Sequence, residues 1–313
     1  ARWTGDLPWK RSMSTLFLTL WPLFALILAG LGFRRSGFPG EGFWPAAEKL
    51  NYFVLFPALL FSSLANAPLA DPSILKLAGA IFAVLAAASL VMLALRRVFA
   101  WPAARYGPIV QGITRFNTYL GLAMVASLYG PDGLARAAVI LAVMVPTVNV
   151  LSVIALTSER HTSARELVMP VLRNPLILAC LAGAVVAALG LGMPFGLDRL
   201  LGLLAAASLP LGLLCVGAAL KLKAARAETT ILTVNSLARL IAMPLLAFAV
   251  ARLMALPPLD GALLVIFFAL PTAPTSYVLT TQLKGDATQM AGLVTLQTLL
   301  AAASLPLVLA LLI

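Results

Sequence analysis

Histidine and cysteine are almost absent from this chain of 313 residues. His161 is the single histidine and lies between apolar stretches, so a Ser-His-Asp relay or a His-based metal site within such a stretch is excluded. Cys180 and Cys215 both fall inside apolar stretches, which predicts buried thiols and no disulfide framework. The sequence contains no P-loop and neither of the motifs G-x-S-x-G and H-E-x-x-H. We therefore expect neither an enzyme nor a protein that binds a metal or another cofactor.

Charge is also scarce, because Asp, Glu, Lys and Arg make up 11% of the chain, against about 25% in soluble proteins. All eleven acidic residues lie in predicted loops or within a turn or two of the end of an apolar stretch. Carriers that couple transport to protons usually hold a carboxylate at membrane depth. The sequence therefore argues against tight proton coupling through a buried carboxylate.

Long apolar runs dominate the sequence, since 62% of the residues are hydrophobic. At about 1.5 Å per helical residue, a run of about 20 residues crosses the roughly 30 Å of hydrocarbon in a bilayer. The pattern predicts an all-α membrane protein with ten transmembrane helices. The apolar runs are 14–33, 46–67, 74–95, 107–128, 133–156, 174–193, 198–220, 229–255, 261–283 and 289–313.

The basic residues behind the net charge of +11 lie mainly in the loops on one side of the predicted membrane, and this distribution does not indicate nucleic acid as a partner. Thirteen basic residues lie in the loops after the odd-numbered runs, against seven on the opposite side. Because basic loops stay in the cytoplasm, we expect both termini in the periplasm of a bacterial inner membrane, with the lipid bilayer as the surrounding partner. Residues 1–13 are interpreted as an N-terminal extension outside the fold.

The two halves of the chain resemble each other. Trp21-Pro22-Leu23 and Gly30 recur 153 positions later as Asn174-Pro175-Leu176 and Gly183, and Pro57 corresponds to Pro210 at the same offset. Each half contains five apolar runs, so the second copy would enter the membrane inverted, as in many secondary transporters. We expect repeats at 14–156 and 174–313, joined by a cytoplasmic linker at 157–173.

The fourth and ninth runs are the least regular. Arg115, Asn117, Thr118 and Gly121 interrupt the fourth run with polar groups and glycine. The matching part of the ninth run contains Pro271, Thr272, Pro274 and Thr275, and each proline removes a backbone donor. Breaks at equivalent places in two repeats are typical of a transport site near the membrane midplane.

An anion is the ligand that such a site favours. Helix N-termini at the breaks offer free N–H groups and about half a positive charge each. Arg115 would add to this field, and Asn149 in the fifth run supplies another polar group, although it could equally bond a neighbouring helix. Arg239 is the second buried cation, and we expect it either to bind backbone carbonyls or to act in the site.

Six segments are informative together: 50–61, 116–122, 129–134, 173–178, 209–213 and 217–220. They resemble the auxin efflux carrier family, and the resemblance covers the chain from Met13 to Ile313. That resemblance implies the fold of bile-acid symporters and NhaA-like proteins, with broken helices 4 and 9 that cross. It also implies a scaffold of helices 1, 2, 6 and 7, often a homodimer contact, and a moving transport domain of helices 3–5 and 8–10. Asn117 and Asn149 would contact a substrate carboxylate.

We therefore expect a secondary transporter that moves a small organic acid by elevator-type alternating access, as an efflux carrier or uniporter. A sodium-coupled organic anion importer similar to bile-acid symporters is an alternative. A non-transporting membrane sensor or a complex subunit is another, although no soluble partner-binding element is evident. The residues expected to bind the substrate are Arg115, Asn117, Thr118, Gly121, Asn149, Pro271, Thr272, Pro274 and Thr275.

Overall fold

The computed structural model describes residues 13–40, 42–65, 71–159, 163–191, 193, 196–226 and 229–313. Within these ranges the chain is helical and contains no strand. Apart from Met13, the predicted N-terminal extension lies outside the described residues, and so does His161. Cys180 and Cys215 are buried and form no disulfide, as predicted.

Fourteen α-helices are found in the described residues. Short π-helical turns at Asn51–Leu55 and Ala238–Ala242 join α2 to α3 and α10 to α11. The helices are α1 (Met13–Arg35), α2 (Phe43–Leu50), α3 (Phe56–Ala65), α4 (Ser73–Phe99), α5 (Ala103–Thr114), α6 (Thr118–Leu156), α7 (Ala164–Leu172), α8 (Pro175–Leu189), α9 (Leu197–Ala218), α10 (Thr229–Leu237), α11 (Met243–Leu253), α12 (Pro258–Ala269), α13 (Thr275–Gln282) and α14 (Ala287–Leu312).

Six helical segments of the described chain are long and apolar enough to cross a membrane, compared with ten apolar runs in the sequence. Much of the difference has local causes, although the second run, in α2 and α3, is also not among the six. The segment Ala103–Leu156 contains two of the apolar runs, and the helices α8 and α12 are shorter than a full membrane crossing. The ninth run is divided between α12 and α13 by a non-helical stretch.

Helix α6 turns sharply at Gly130, where the sequence predicts a loop between the fourth and fifth runs. The backbone of Gly130 has φ 61° and ψ −150°, a conformation that side chains with a Cβ rarely adopt. We therefore divide α6 at Gly130 into an N-terminal part, α6a, and a C-terminal part, α6b.

Helices α1, α3, α8 and α9 pack closely through glycine. A Cβ at Gly30 of α1 would lie 2.0 Å from the carbonyl oxygen of Leu214 in α9, and one at Gly217 would lie 1.7 Å from the carbonyl oxygen of Ile27. A Cβ at Gly183 of α8 would lie 2.7 Å from the carbonyl oxygen of Phe61 in α3. No Cβ fits at these distances. Only glycine, which has a hydrogen atom in place of a side chain, lets these backbones touch, as is common between membrane helices.

The stretch 157–173, predicted as a linker, contains helix α7. The Ser163 hydroxyl oxygen accepts a hydrogen bond from the Glu166 amide at 3.3 Å, and the two side chains lie 3.4 Å apart. Ser followed by Glu three residues later is the sequence of a capping box; here the Ser163 hydroxyl caps the helix, and the Glu166 carboxylate accepts from that hydroxyl. The linker is therefore partly structured, and Met169 of α7 faces the central cavity described below.

We expect Gly30→Ala to destabilise the protein, because the new methyl group must push α1 away from the α9 backbone. Overpacking of this kind costs about 1–3 kcal/mol. Gly32→Ala is the matched control, since nothing lies within 4 Å of a Cβ there and alanine favours the helix. Thermal unfolding in detergent should show a lower midpoint for Gly30→Ala alone, and equal midpoints would contradict the close packing.

Candidate functional site

The two interrupted runs meet at a crossing. Helix α5 ends at Thr114 and α6a begins at Thr118, while α12 ends at Ala269 and α13 begins at Thr275. The backbone N–H of Asn117 donates a hydrogen bond to the carbonyl oxygen of Pro271 at 2.8 Å. The predicted interruptions are therefore present, and they contact each other directly.

Thr272 links the two broken runs through hydrogen bonds inside the crossing. Its side chain is fully buried, and its hydroxyl lies 3.0–3.2 Å from the carbonyl oxygens of Gln111, Gly112 and Arg115. The backbone N–H of Thr272 donates to Oε1 of Gln297 at 2.9 Å. The freed carbonyl groups at the end of α5 thus find a partner in the other broken run.

Two buried amides that the sequence reasoning did not select extend this network. Nε2 of Gln297 in α14 donates to the Gly112 carbonyl at 3.1 Å and to Oδ1 of Asn235 in α10 at 3.0 Å. Asn235 in turn donates to the Ile109 carbonyl at 2.9 Å. Each is a polar residue inside an apolar helix, and that is the sequence signal by which both could have been found.

Arg239 binds backbone carbonyls on the side of the crossing where α5 and α12 end. Its guanidinium donates to the carbonyl oxygens of Leu270 at 2.6 Å, Ile113 at 2.7 Å and Phe267 at 3.1 Å. These groups belong to the C-terminal ends of α12 and α5, which point their negative dipole ends at the arginine. The sequence left two roles open for Arg239, binding of backbone carbonyls or action in the site, and the structure shows the first.

A cavity of about 1230 Å³ lies beside the crossing. One wall comes from the crossing and α6b, and it includes Phe116, Val145 and Val148. Other lining residues come from the π-helical turn after α2 and from α9, and they include Tyr52 and Val216. The cavity continues to a charged rim, where Glu166 lies among the basic residues Lys49, Arg165 and Arg173 of the predicted cytoplasmic loops.

Polar groups converge where α6a begins. Oδ1 of Asn117 accepts a hydrogen bond from the Leu120 amide at 3.1 Å and so caps the helix. The Nδ2 group of Asn117 is buried and has no hydrogen-bond partner among the described residues. Nη2 of Arg115 donates to the hydroxyl of Thr275 at 3.2 Å, and both residues line the cavity. A buried donor without a partner, a cation and a helix N-terminus therefore lie together at this wall of the cavity.

The predicted site residues fall into two groups. Arg115, Asn117, Thr118, Asn149, Pro274 and Thr275 line the cavity. Pro271, Thr272 and Gly121 lie behind the cavity wall, where they form the crossing. Gly121 lies so near α12 and the stretch that follows it that a Cβ would be 2.6 Å from Cδ1 of Leu270. Glu48, Tyr52 and Tyr119, which also line the cavity, were not selected from the sequence.

A separate ionic cluster lies where α4 and α12 begin. Arg136 of α6b forms ion pairs with Asp71 and, at 3.6 Å, with the buried Asp260. The amide of Ser73 donates to Asp71 at 2.8 Å, and this bond, together with Arg136, holds the pKa of the Asp71 carboxyl below its usual value. None of these residues lines the cavity, so we assign the cluster to helix packing.

We expect Thr272→Val to destabilise the protein, because the carbonyl group of Arg115 loses its hydroxyl donor and the carbonyl groups of Gln111 and Gly112 each lose one of two donors. The loss of one partner in a buried hydrogen bond costs about 1–3 kcal/mol. Thr281→Val makes the same chemical change at an exposed position of α13, where the hydroxyl bonds only to its own helix at the Tyr277 carbonyl. Thermal unfolding that is equal for the two variants would contradict the role given to Thr272.

Comparisons with known proteins indicate a membrane transport protein. The profile of a family described as "Membrane transport protein" matches residues 15–309. A protein of Methanothermobacter thermautotrophicus, described as an uncharacterized transporter, is 27% identical over 296 residues, which cover 92% of this chain and 96% of that protein.

Proposed function

Since this chain belongs to the membrane transport protein family, it is a multi-pass membrane transport protein, and we propose that it is a secondary transporter of small organic anions. Family membership over residues 15–309 confirms the resemblance to auxin efflux carriers drawn from the motifs. The observation on which the proposal chiefly rests is the meeting of Arg115, the free amide of Asn117 and the N-terminus of α6a at one wall of the cavity.

The chemistry of this wall favours a carboxylate. The first N–H groups of a helix have no partner within the helix, and the helix end has about half a positive charge. Nδ2 of Asn117 adds a buried donor without a partner, and burial of such a donor is costly unless a ligand or water binds it. The Arg115 guanidinium supplies the full charge. Phe116, Phe56 and Tyr52 provide apolar surface for the organic part of the ligand.

We propose ten transmembrane segments arranged as two inverted repeats of five. The segments are α1, α2 with α3, α4, α5 with α6a, α6b, α8, α9, α10 with α11, α12 with α13, and α14. Two glycine contacts support this arrangement: Gly30 with Leu214, and Gly183 with Phe61. At the repeat offset of 153 positions, Gly30 corresponds to Gly183 and Phe61 corresponds to Leu214, so the two contacts are equivalent in the two repeats. Such equivalence is expected when two copies are related by a two-fold axis.

We further propose an elevator-type movement. Residues of the glycine-packed helices α3, α8 and α9 line the cavity together with residues of the crossing. The crossing is fastened to α14, α10 and the arginine that follows α10, so these elements would move as one body. The glycine-packed helices would form the fixed scaffold, and the rim that includes Arg165 would be the cytoplasmic opening.

Efflux is the direction that the charge of the ligand favours. A membrane potential that is negative inside assists the exit of an anion by about 2.3 kcal/mol per charge per 100 mV when no ion is coupled. The described residues at the crossing provide donors and a cation for the anion and no carboxylate. The carboxylates that line the cavity, Glu48 and Glu166, belong to α2 and α7 and not to the crossing.

We expect Asn117→Asp to weaken binding of the anion strongly while the fold is retained. Aspartate caps a helix as well as asparagine does, so α6a should still begin at the same place. The amide donor, however, becomes a negative charge that faces the ligand. Loss of such a buried polar contact costs about 2–5 kcal/mol, so we expect affinity to fall by a factor of about 30 to several thousand.

The measurement uses purified protein in proteoliposomes and a panel of mono- and dicarboxylates. We expect release of at least one acid by the original protein, far less by Asn117→Asp, and similar thermal unfolding for both. Absence of transport of every acid by folded protein, with binding of an acid retained, would favour a membrane sensor. Equal transport by Asn117→Asp would remove Asn117 from the site.

A further inference from the structure

We propose that Arg239 is a built-in cation that occupies the place of a coupling metal ion at the crossing, so that the carrier moves its anion without Na⁺. The inference rests on the proposed function and adds the class of coupling to it. It arises from the position of one fully buried arginine that does not line the cavity and so does not touch the ligand.

The oxygen atoms around Arg239 are those that a metal ion would use. In carriers with broken helices, freed carbonyl groups and the C-terminal ends of half-helices coordinate Na⁺. Here the carbonyl groups of Ile113, Phe267 and Leu270 belong to the ends of α5 and α12, and all three accept hydrogen bonds from the guanidinium at 2.6–3.1 Å. The side chain therefore fills the space in which an ion would be held.

Charge balance leads to the same conclusion. No carboxylate among the described residues forms an ion pair with Arg239. The negative ends of α5 and α12, each equivalent to about half an elementary charge, together compensate one positive charge. An additional cation has no room at this position, because the guanidinium occupies it. It would also find no negative charge left to bind, because the guanidinium already compensates both helix ends.

The position of Arg239 also explains how it would act on an anion that it does not touch. Its partner Ile113 lies two residues before Arg115, and its partner Leu270 precedes Pro271, which accepts a hydrogen bond from Asn117. Without the guanidinium, the negative ends of α5 and α12 would be uncompensated close to the bound carboxylate. In sodium-coupled carriers this compensation comes from the bound metal ion, so removal of Arg239 should create a requirement for a free cation.

The test compares Arg239→Lys, Arg239→Gln and Arg239→Ala with the original protein. Lysine keeps the charge with fewer donors, glutamine keeps hydrogen bonding without the charge, and alanine opens the space. Arg252→Ala is the control, since Arg252 is an exposed arginine at the end of α11. For each protein, affinity for the transported acid is measured in choline, in NaCl and in choline with millimolar propylguanidinium.

We expect the original protein, Arg252→Ala and Arg239→Lys to bind the acid equally in choline and in NaCl. Arg239→Gln and Arg239→Ala should bind it about 5- to 150-fold more weakly in choline, the usual range for coupled sites. Propylguanidinium or Na⁺ should restore binding by Arg239→Ala. Sodium dependence of the original protein, full affinity of Arg239→Gln in choline, or failure of both cations to restore a folded Arg239→Ala would each overturn the proposal.

Thermal unfolding separates failure of this inference from failure of the proposed function. Propylguanidinium should raise the unfolding midpoint of Arg239→Ala but not that of Arg252→Ala, and this readout needs no organic acid. If the acids do not bind to the original protein but the midpoint still rises, the cation site stands and the organic anion proposal fails. If Arg239→Ala does not fold, the comparison of Arg239→Lys with Arg239→Gln decides, and equal midpoints and affinities for these two would overturn the role of the charge.

Discussion

A broken helix inside a membrane leaves backbone groups without partners, and the rest of this structure depends on how those groups are satisfied. Water is absent from the hydrocarbon core, so each freed carbonyl needs a donor from the protein. Here the donors come from elsewhere in the chain: the Thr272 hydroxyl, the Gln297 amide and the Arg239 guanidinium all bind freed carbonyls of α5, and Arg239 also binds those of α12. The crossing is stable because these side chains take the place of water.

The two ends of each break consequently have different chemistry. The C-terminal ends of α5 and α12 are closed by buried side chains and face away from the cavity. The N-terminal end of α6a faces the cavity, where the amide of Asn117 is free and Arg115 is partly exposed. One arrangement of backbone thus separates a negative region enclosed in protein from a positive region open to a ligand.

Local chemistry in the sequence was sufficient to predict the breaks, the turn and the buried thiols. Pro271 and Pro274 cannot donate to a helix, and Gly130 adopts a conformation that glycine favours. The direction in which each polar group faces depends on packing between distant segments. Thr272 and Pro274 look equivalent in the sequence, yet one is buried against α5 and the other lines the cavity. Helix α7 was missed although its capping box at Ser163 and Glu166 is a local signal.

The contacts of Gly30 and Gly217 are made with backbone oxygen atoms, not with side chains. A clash with a side chain can be relieved during evolution by a smaller neighbour, whereas every amino acid has the same carbonyl group. No second substitution can therefore compensate for a larger residue at either position. Residues that line the cavity are free of this restriction, so homologous carriers could diverge in the molecules they accept while the geometry of α1 against α9 stays the same.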